Sequence, residues 1–527
     1  SLTSDVSGDG QASGTPELDT SGTDSSPPSG ERYVQENGRM VHVKPKSRGG
    51  ESRNVVADFV ARITREITME DGARAYRIEG ETKKGRPFAL DIEASEFERD
   101  RSLKSALGAA AGAESAVRAG MTRHIAPALK MLSSDVEKRK RYKRTGWTDS
   151  GFVLPGRTGE DVEVSLPDSL PYRANADADI GDGRDALDNL LQSIGPDKTA
   201  PVLSFMLTGP VVRHVQQIKR HGMFIKGRTG SLKTSVSQAL MCIYGAGFIQ
   251  DENLLKMGEG MTRNAAMALA GASHDLPIFF DNYKPSTGRG DRDFINLIHN
   301  VIEGGEKARL NRNSELKERR NIRAWPLITG EDLPNTDPAS LPRVLSVEFK
   351  WNSGEDHPEL TRAQANHDAL PALGREWIEW LHTSDGQEAL SELEDTFPDR
   401  RKKWPAYLRR NRPDMVNILR VASNLATNTL VYDAAKQCPA MRSVLAEHEA
   451  EYRKGLKEVA YRMGDYTCES LEARRLLDGI KSLQAAGRVN FAKRLGTDHY
   501  EDENRIGYRD GDGYYLILDL AIEAVED

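Results

Sequence analysis

The stretch "MFIKGRTGSLKTS", Met223 to Ser235, decides how this chain is read. A phosphate-binding loop needs successive backbone N–H groups turned into one concavity at a helix amino terminus. It also needs a lysine that reaches the terminal phosphates and a hydroxyl beside it for Mg²⁺. Apolar Met223 to Ile225 supply a buried strand, and Gly227 and Gly230 permit a sharp backbone. Lys233, Thr234 and Ser235 bring charge and hydroxyls, and "VSQALMCIYG" brings the helix. One position departs from the usual pattern: Leu232 stands where a glycine normally precedes the lysine. Whether leucine must bear a positive φ there is the question the loop raises. The expected nucleotide contacts are Gly227, Arg228, Thr229, Gly230, Ser231, Leu232, Lys233, Thr234 and Ser235. A second "GRTG", Gly156 to Gly159, is followed by Glu160 and Asp161, with neither lysine nor helix, and reads as a turn.

A P-loop enzyme needs a second strand ending in an acidic residue that anchors Mg²⁺ from the other side. "DLPIFFDNYKP" supplies it, with Asp281 at the end of an apolar run, so Thr234 and Asp281 are the expected metal-holding pair. Asn282 follows where many such hydrolases carry glutamate; an amide orients water but accepts no proton, which leaves Glu331 or Asp332 as assisting groups. A third strand, "RAWPLITGED", ends in Thr329, either a contact to the γ-phosphate or attacking water, or a plain strand cap. In "DPASLPRVLSVEFKWN", Arg343 precedes a short apolar strand. It reads either as a finger reaching a neighbouring subunit's nucleotide or as an ion-paired surface residue. Lys233, Asp281, Asn282, Thr329 and Arg343 form the expected catalytic set. Between the second and third strands, "EGGEKARLNRNSELKERRNIRAW" is more charged than a connection requires. A hairpin tip at Asn311–Ser314 flanked by Lys307, Arg309, Arg312 and Lys317 is one reading, with phosphate-binding side chains facing the pore of a ring; a solvated loop is the other.

With 527 residues, 38% hydrophobic and 29% charged, the chain can bury several cores. Its net charge of −7 gives no global attraction to nucleic acid, so such contact must come from local clusters. "EKRKRYKR" at 137–144 and "RRKKWPAYLRRNR" at 400–412 mix positive charge with Tyr142, Trp404 and Tyr407. Phosphate contact with stacking, a solvated face and a salt-bridged face all fit them. Three dispersed cysteines argue against a disulfide framework and a zinc site and suit a reducing cytoplasm. No apolar run approaches the ~18 residues needed to span a membrane, the amino terminus lacks a signal core, and Ser1 in place of methionine suits a trimmed chain.

Composition divides the chain into five expected regions. Residues 1–51, rich in Ser, Gly, Thr, Asp and Pro, form a disordered tail. An α+β domain covers 52–181, with strand, Lys-Lys-Gly turn and strand, then an alanine-rich helical stretch from Arg101 to Leu132, then further strands. An open α/β sheet covers 182–356 and a helical region 357–465. Residues 466–527 read as helix, basic segment, hairpin and closing helix, like a winged helix or a capping subdomain.

The succession "GRTGSLKTS", "IFFDN", "GGEKAR", "LITGED" and "LPRVLSVEF" resembles the AAA+-like ATPases of helicase superfamily 3. More closely it resembles the family called domain of unknown function 927, which includes Cch-type helicases of bacterial cassette chromosomes. In that group a loop of the form G-x-T-G-x-x-K-[ST] is usual, and Leu232 fits it. "YRIEGETKKGRPFALDIEASEF", "RTGWTDSGFVLPG" and "NRIGYRDGDGYYLILDLAIEAV" extend the resemblance over most of 54–527. It implies a multidomain α/β protein with an AAA+-like P-loop core and a winged-helix-like terminus. It also implies ATP with Mg²⁺, a homo-oligomeric, hexameric ring, and translocation on DNA during replication of a mobile element, beside a primase. Two rival readings stay open: an ATP-gated initiator or loader with weak hydrolysis, favoured by Asn282, and a P-loop regulator of a defence system.

Overall fold

The computed structural model describes residues 30–112, 116–156, 159, 161–175, 177–257, 261–284, 289–305, 321–334, 340–350, 356–492, 504–510 and 513–526. The chain divides into two units, residues 1–141 and 142–527.

In the first unit, strands Arg32–Glu36, Arg39–Pro45 and Glu51–Ala57 form an antiparallel meander. Composition had placed residues 32–45 in the polar tail; they are a hairpin instead. Asn37 and Gly38 take φ of 50° and 71°, the two-residue turn that Asn-Gly favours. The alternation that buries Met40, Val41 and Val43 is diluted, in any compositional window, by the polar residues before it. Strands Phe59–Met69, Arg74–Thr82 and Pro87–Glu93 follow as a second meander, with the expected turn at Gly85, and Glu137–Tyr142 runs parallel to the first of them. The alanine-rich stretch is two helices, Asp100–Ala111 and Ile125–Met131, because Gly112 leaves the helix at φ 79°. Phe59, Phe97, Leu103 and Leu129 centre this unit's core.

Residues 142–181, grouped by sequence with the amino-terminal domain, pack in the second unit. The Trp147 indole donates to Pro210 O at 2.8 Å, and its backbone N–H donates to Asp275 at 2.9 Å. The centre of this unit is a parallel sheet of β1 (Gly222–Lys226), β2 (Leu255–Lys256), β3 (Pro277–Tyr283), β4 (Trp325–Gly330) and β5 (Val344–Glu348), in the order β2-β3-β4-β1-β5. Helices α1 (Lys233–Met241), α2 (Arg263–Ala272) and α3 (Arg289–Glu303) alternate with the strands. Strands buried on both faces read as continuous apolar runs, as "MFI", "PIFF" and "PLI" do.

Helices α4 (Ser384–Asn411), α5 (Ile418–Ala435) and α6 (Glu449–Ala485) build the helical part, α4 packing on α5 and α6 on the helix Pro196–Met206. Beyond α6, strands Asn490–Ala492, Arg505–Asp510 and Gly513–Leu516 and helix Leu518–Glu526 enclose a small separate core at Ile480, Val489, Ile506 and Ala521. No helix among the described residues is long and apolar enough to cross a membrane.

Candidate functional site

The loop between β1 and α1 lies at the carboxyl end of a strand whose neighbours, β4 and β5, both come later in the chain. Open α/β sheets bind ligands outside the carboxyl ends of such strands. Gly227 has no room for a side chain: a Cβ there would lie 2.4 Å from Ser231 Oγ and 2.6 Å from Phe349 O. Gly230 has open space and needs glycine for its φ of 83°. Leu232 takes φ 58°, so leucine does bear the left-handed conformation, at a cost on the order of 1–3 kcal/mol. Its side chain packs against the core, which offsets part of that cost. Left-handed residues at 230 and 232 turn backbone N–H groups into a concavity. No side chain caps the amino terminus of α1, which leaves its first-turn N–H groups open to an anion.

Lys233 Nζ donates to Gly227 O at 2.6 Å and to Arg228 O at 2.8 Å, which sets the ammonium inside the cradle. Burial lowers the Lys233 pKa from its ordinary value, opposed by the charges of Glu331 and Asp281. Thr234 Oγ1 donates to Asp281 Oδ1 at 2.8 Å, and the Thr329 hydroxyl donates to the same oxygen. Thr329 Oγ1 in turn accepts the Asn282 N–H at 3.1 Å. The start of α1 and the ends of β3 and β4 are thereby clamped by one polar network. Asp281 is 4% exposed and Thr329 fully buried. Asn282 has φ 58°, a conformation asparagine tolerates and glutamate does not favour. Thr229 donates to Glu331, and Lys226 pairs with Asp332 at 2.8 Å.

The structure brings Lys233, Thr234, Asp281, Asn282 and Thr329 together and leaves Arg343 apart. Val344 pairs with Gly222 and Glu348 with Lys226, so Arg343 lies at the amino end of the sheet. At about 3.3 Å per residue it is roughly 15–20 Å from its own loop. There Arg343 Nε and Nη2 donate to Glu303 at 3.2 and 3.0 Å. Burial first, and then the neighbouring Arg343 charge, push the Arg420 guanidinium below its ordinary value, opposed by the Glu303 charge. Lys307, Arg309, Arg312 and Lys317 lie outside the described residues; the bridge between Gly305 and Asn321 joins the two ends of their segment. In the 137–144 cluster, Arg139 pairs with Glu137 and Arg141 with Asp91.

Sequence reasoning missed Glu303 and Arg420 beside Arg343, and Tyr466 of α6, whose ring lies 5.3 Å from Lys226 Nζ. No local signal marks them, because each meets its partner only through the fold.

The residues suit a nucleotide with Mg²⁺. One carboxylate and one hydroxyl 2.8 Å apart are hard oxygen donors of the kind that hold Mg²⁺ with substrate phosphates. Among the described residues no group of three or more His, Cys, Asp or Glu side chains forms a protein-only metal cage.

The chain is thus a multidomain α/β protein whose parallel sheet carries a glycine-rich loop and a hydroxyl–carboxylate pair at its carboxyl end. No family model and no curated protein matches it. Among solved structures it shares the fold of the SCCmec type IV Cch active helicase, at a TM-score of 0.55 and 13% identity over 94% of this chain and 90% of that one. The NrS-1 C-terminal region matches at a TM-score of 0.29 and 9% identity, over 65% of this chain and 77% of that one. JCV helicase matches at 0.22 and 9%, over 40% and 65%. Scores this low carry no argument about fold.

Proposed function

We propose that the protein is an ATPase that couples hydrolysis to translocation on DNA or its unwinding, in the replication of a mobile genetic element. The observation that carries the reading is the network in which Thr234 and Thr329 both bond Asp281 beside the Lys233 cradle. The fold shared with the Cch helicase supports it along nearly the whole chain. The strand order β2-β3-β4-β1-β5, with the threonine-tipped β4 between the loop strand and the aspartate strand, supports an AAA+-like core. The terminal three-stranded sheet and its flanking helices support a winged-helix-like module.

Lys233 and the N–H groups of residues 228–233 would hold the phosphates, and Thr234 with Asp281 would hold Mg²⁺. Bound Mg²⁺ would neutralise charge developing on the transferred phosphoryl group. Thr329 fixes the Asp281 carboxylate, Asn282 orients water through its amide, and Glu331, tied to Thr229, takes the proton. Arg343, too far from its own loop, acts on the nucleotide of a neighbouring subunit in a homo-oligomeric ring, which we take to be hexameric and cytoplasmic. Lys307, Arg309, Arg312 and Lys317 line its pore against DNA, and a primase is a fitting partner.

A second reading, an ATP-gated initiator with weak hydrolysis, is favoured by Asn282, whose left-handed backbone suits an amide and disfavours glutamate. Steady-state ATP hydrolysis with and without single-stranded DNA, together with unwinding of a forked duplex, separates the two. DNA-stimulated turnover and unwinding that vanish in Lys233→Ala uphold the first; nucleotide binding with negligible turnover under all conditions overturns it.

A further inference from the structure

Helix α4 presents Arg400, Lys403, Trp404 and Tyr407 at positions i, i+3, i+4 and i+7, a single helical face, to a groove of about 690 Å³. Its opposite wall carries Asp433 of α5 and Arg453 and Lys457 of α6. The volume lies within the range of about 300–1,000 Å³ found for ligand sites. Charge is unevenly used there. Asp433 holds both arginines, Arg400 through one oxygen and Arg453 through the other at 2.6 Å. Lys403 and Lys457 are exposed, and neither pairs with an acidic group among the described residues. Between them Trp404 and Tyr407 stand edge to face, ring centres 5.7 Å apart at 84°, both half-buried, with the Trp404 indole donating to Thr429 at 3.3 Å.

From the structure we infer that this groove binds single-stranded nucleic acid, a base stacking on the Trp404–Tyr407 pair and flanking phosphates contacting Lys403 and Lys457. Rings fixed by the fold beside unpaired ammonium groups are what sequence-tolerant strand binding uses. The positive line continues along the helix at exposed Arg401, Arg409 and Arg410, in a chain of net charge −7. That extent suits a polymer rather than a mononucleotide. An acidic peptide would satisfy the lysines and leave the rings unused. The groove is built from α4, α5 and α6, apart from the loop at Gly227–Ser235, and the inference does not rest on ATP hydrolysis.

The test is fluorescence anisotropy of a labelled oligothymidylate with the full chain, in the absence of nucleotide and across a salt series. The double variant Lys403→Glu/Lys457→Glu is expected to weaken binding more than tenfold and to flatten the salt slope by about 1.4, from two contacts of about 0.7 each. Tyr407→Leu should weaken binding roughly fivefold or more through lost stacking. Trp404→Phe should remove the oligonucleotide-dependent quenching of tryptophan emission, a readout that a purely structural role would not move. An unchanged affinity and salt slope in the double variant, which alters only exposed side chains, would overturn the inference. So would equal displacement of the oligonucleotide by polyglutamate. Because the assay contains no nucleotide, its result is separate from the fate of the ATPase reading.

Discussion

At the carboxyl end of the central sheet, Asp281 and Thr329 are almost wholly buried, and Thr234, Asp281, Thr329 and the Asn282 N–H close one hydrogen-bonded network. At the amino end of the same sheet, Arg343 leans on a glutamate that is 56% exposed. Buried polar groups are costly when unpaired and hold their geometry once paired. An ion pair in water is worth about 0–1 kcal/mol and is broken with little loss. One end is therefore preorganised, and the other holds a charge that a neighbouring molecule can take over.

The largest effect expected is at the carboxyl end: Lys233→Ala should abolish turnover and weaken nucleotide binding roughly 100-fold, since a charge-assisted contact of about 3 kcal/mol is lost. Titration with a fluorescent nucleotide measures it. Next comes Arg343→Ala, which should leave that affinity unchanged and reduce DNA-stimulated turnover about 10³-fold; unchanged turnover would remove Arg343 as a finger and make its ion pair merely structural. Thr329→Val strands the Asn282 N–H and one bond to Asp281, so urea denaturation should show about 1–3 kcal/mol of lost stability. A loss below about 0.5 kcal/mol would break the contrast between the two ends, because surface substitutions commonly cost that much. Asn282→Ala should cost about 1 kcal/mol for its left-handed backbone, while Asn282→Gly stays near neutral in thermal melts. The smallest change belongs to Glu303→Gln, expected to shift stability by less than about 1 kcal/mol. A loss of several kcal/mol would show that the amino end is built as firmly as the carboxyl end.

Much of the candidate site at the carboxyl end of the sheet is legible in the sequence. Gly227, Lys233 and Thr234 lie within one short loop, and Asp281 and Thr329 each end an apolar run that could only be a buried strand. The hairpin at 32–45 was lost in its polar surroundings, although Asn37-Gly38 between alternating residues is a strong local turn signal. The break at Gly112 was hidden by alanines on both sides, which favour helix and mask a single stop. Trp404 and Tyr407 were visible as aromatics among basic residues, but α5 and α6 make the second wall of their groove, and neither is adjacent in sequence.

Sequence by itself determined four of the five strands of the sheet, the loop chemistry and the acidic strand end, because each follows from local periodicity and from residues a few positions apart. Tertiary structure alone decided that Leu232 and Asn282 carry positive φ and that Arg343 faces Glu303 at the far end of the sheet. Those features depend on strand order and register. Strand order and register are set by how distant apolar faces bury one another, and no short stretch of chain contains that information.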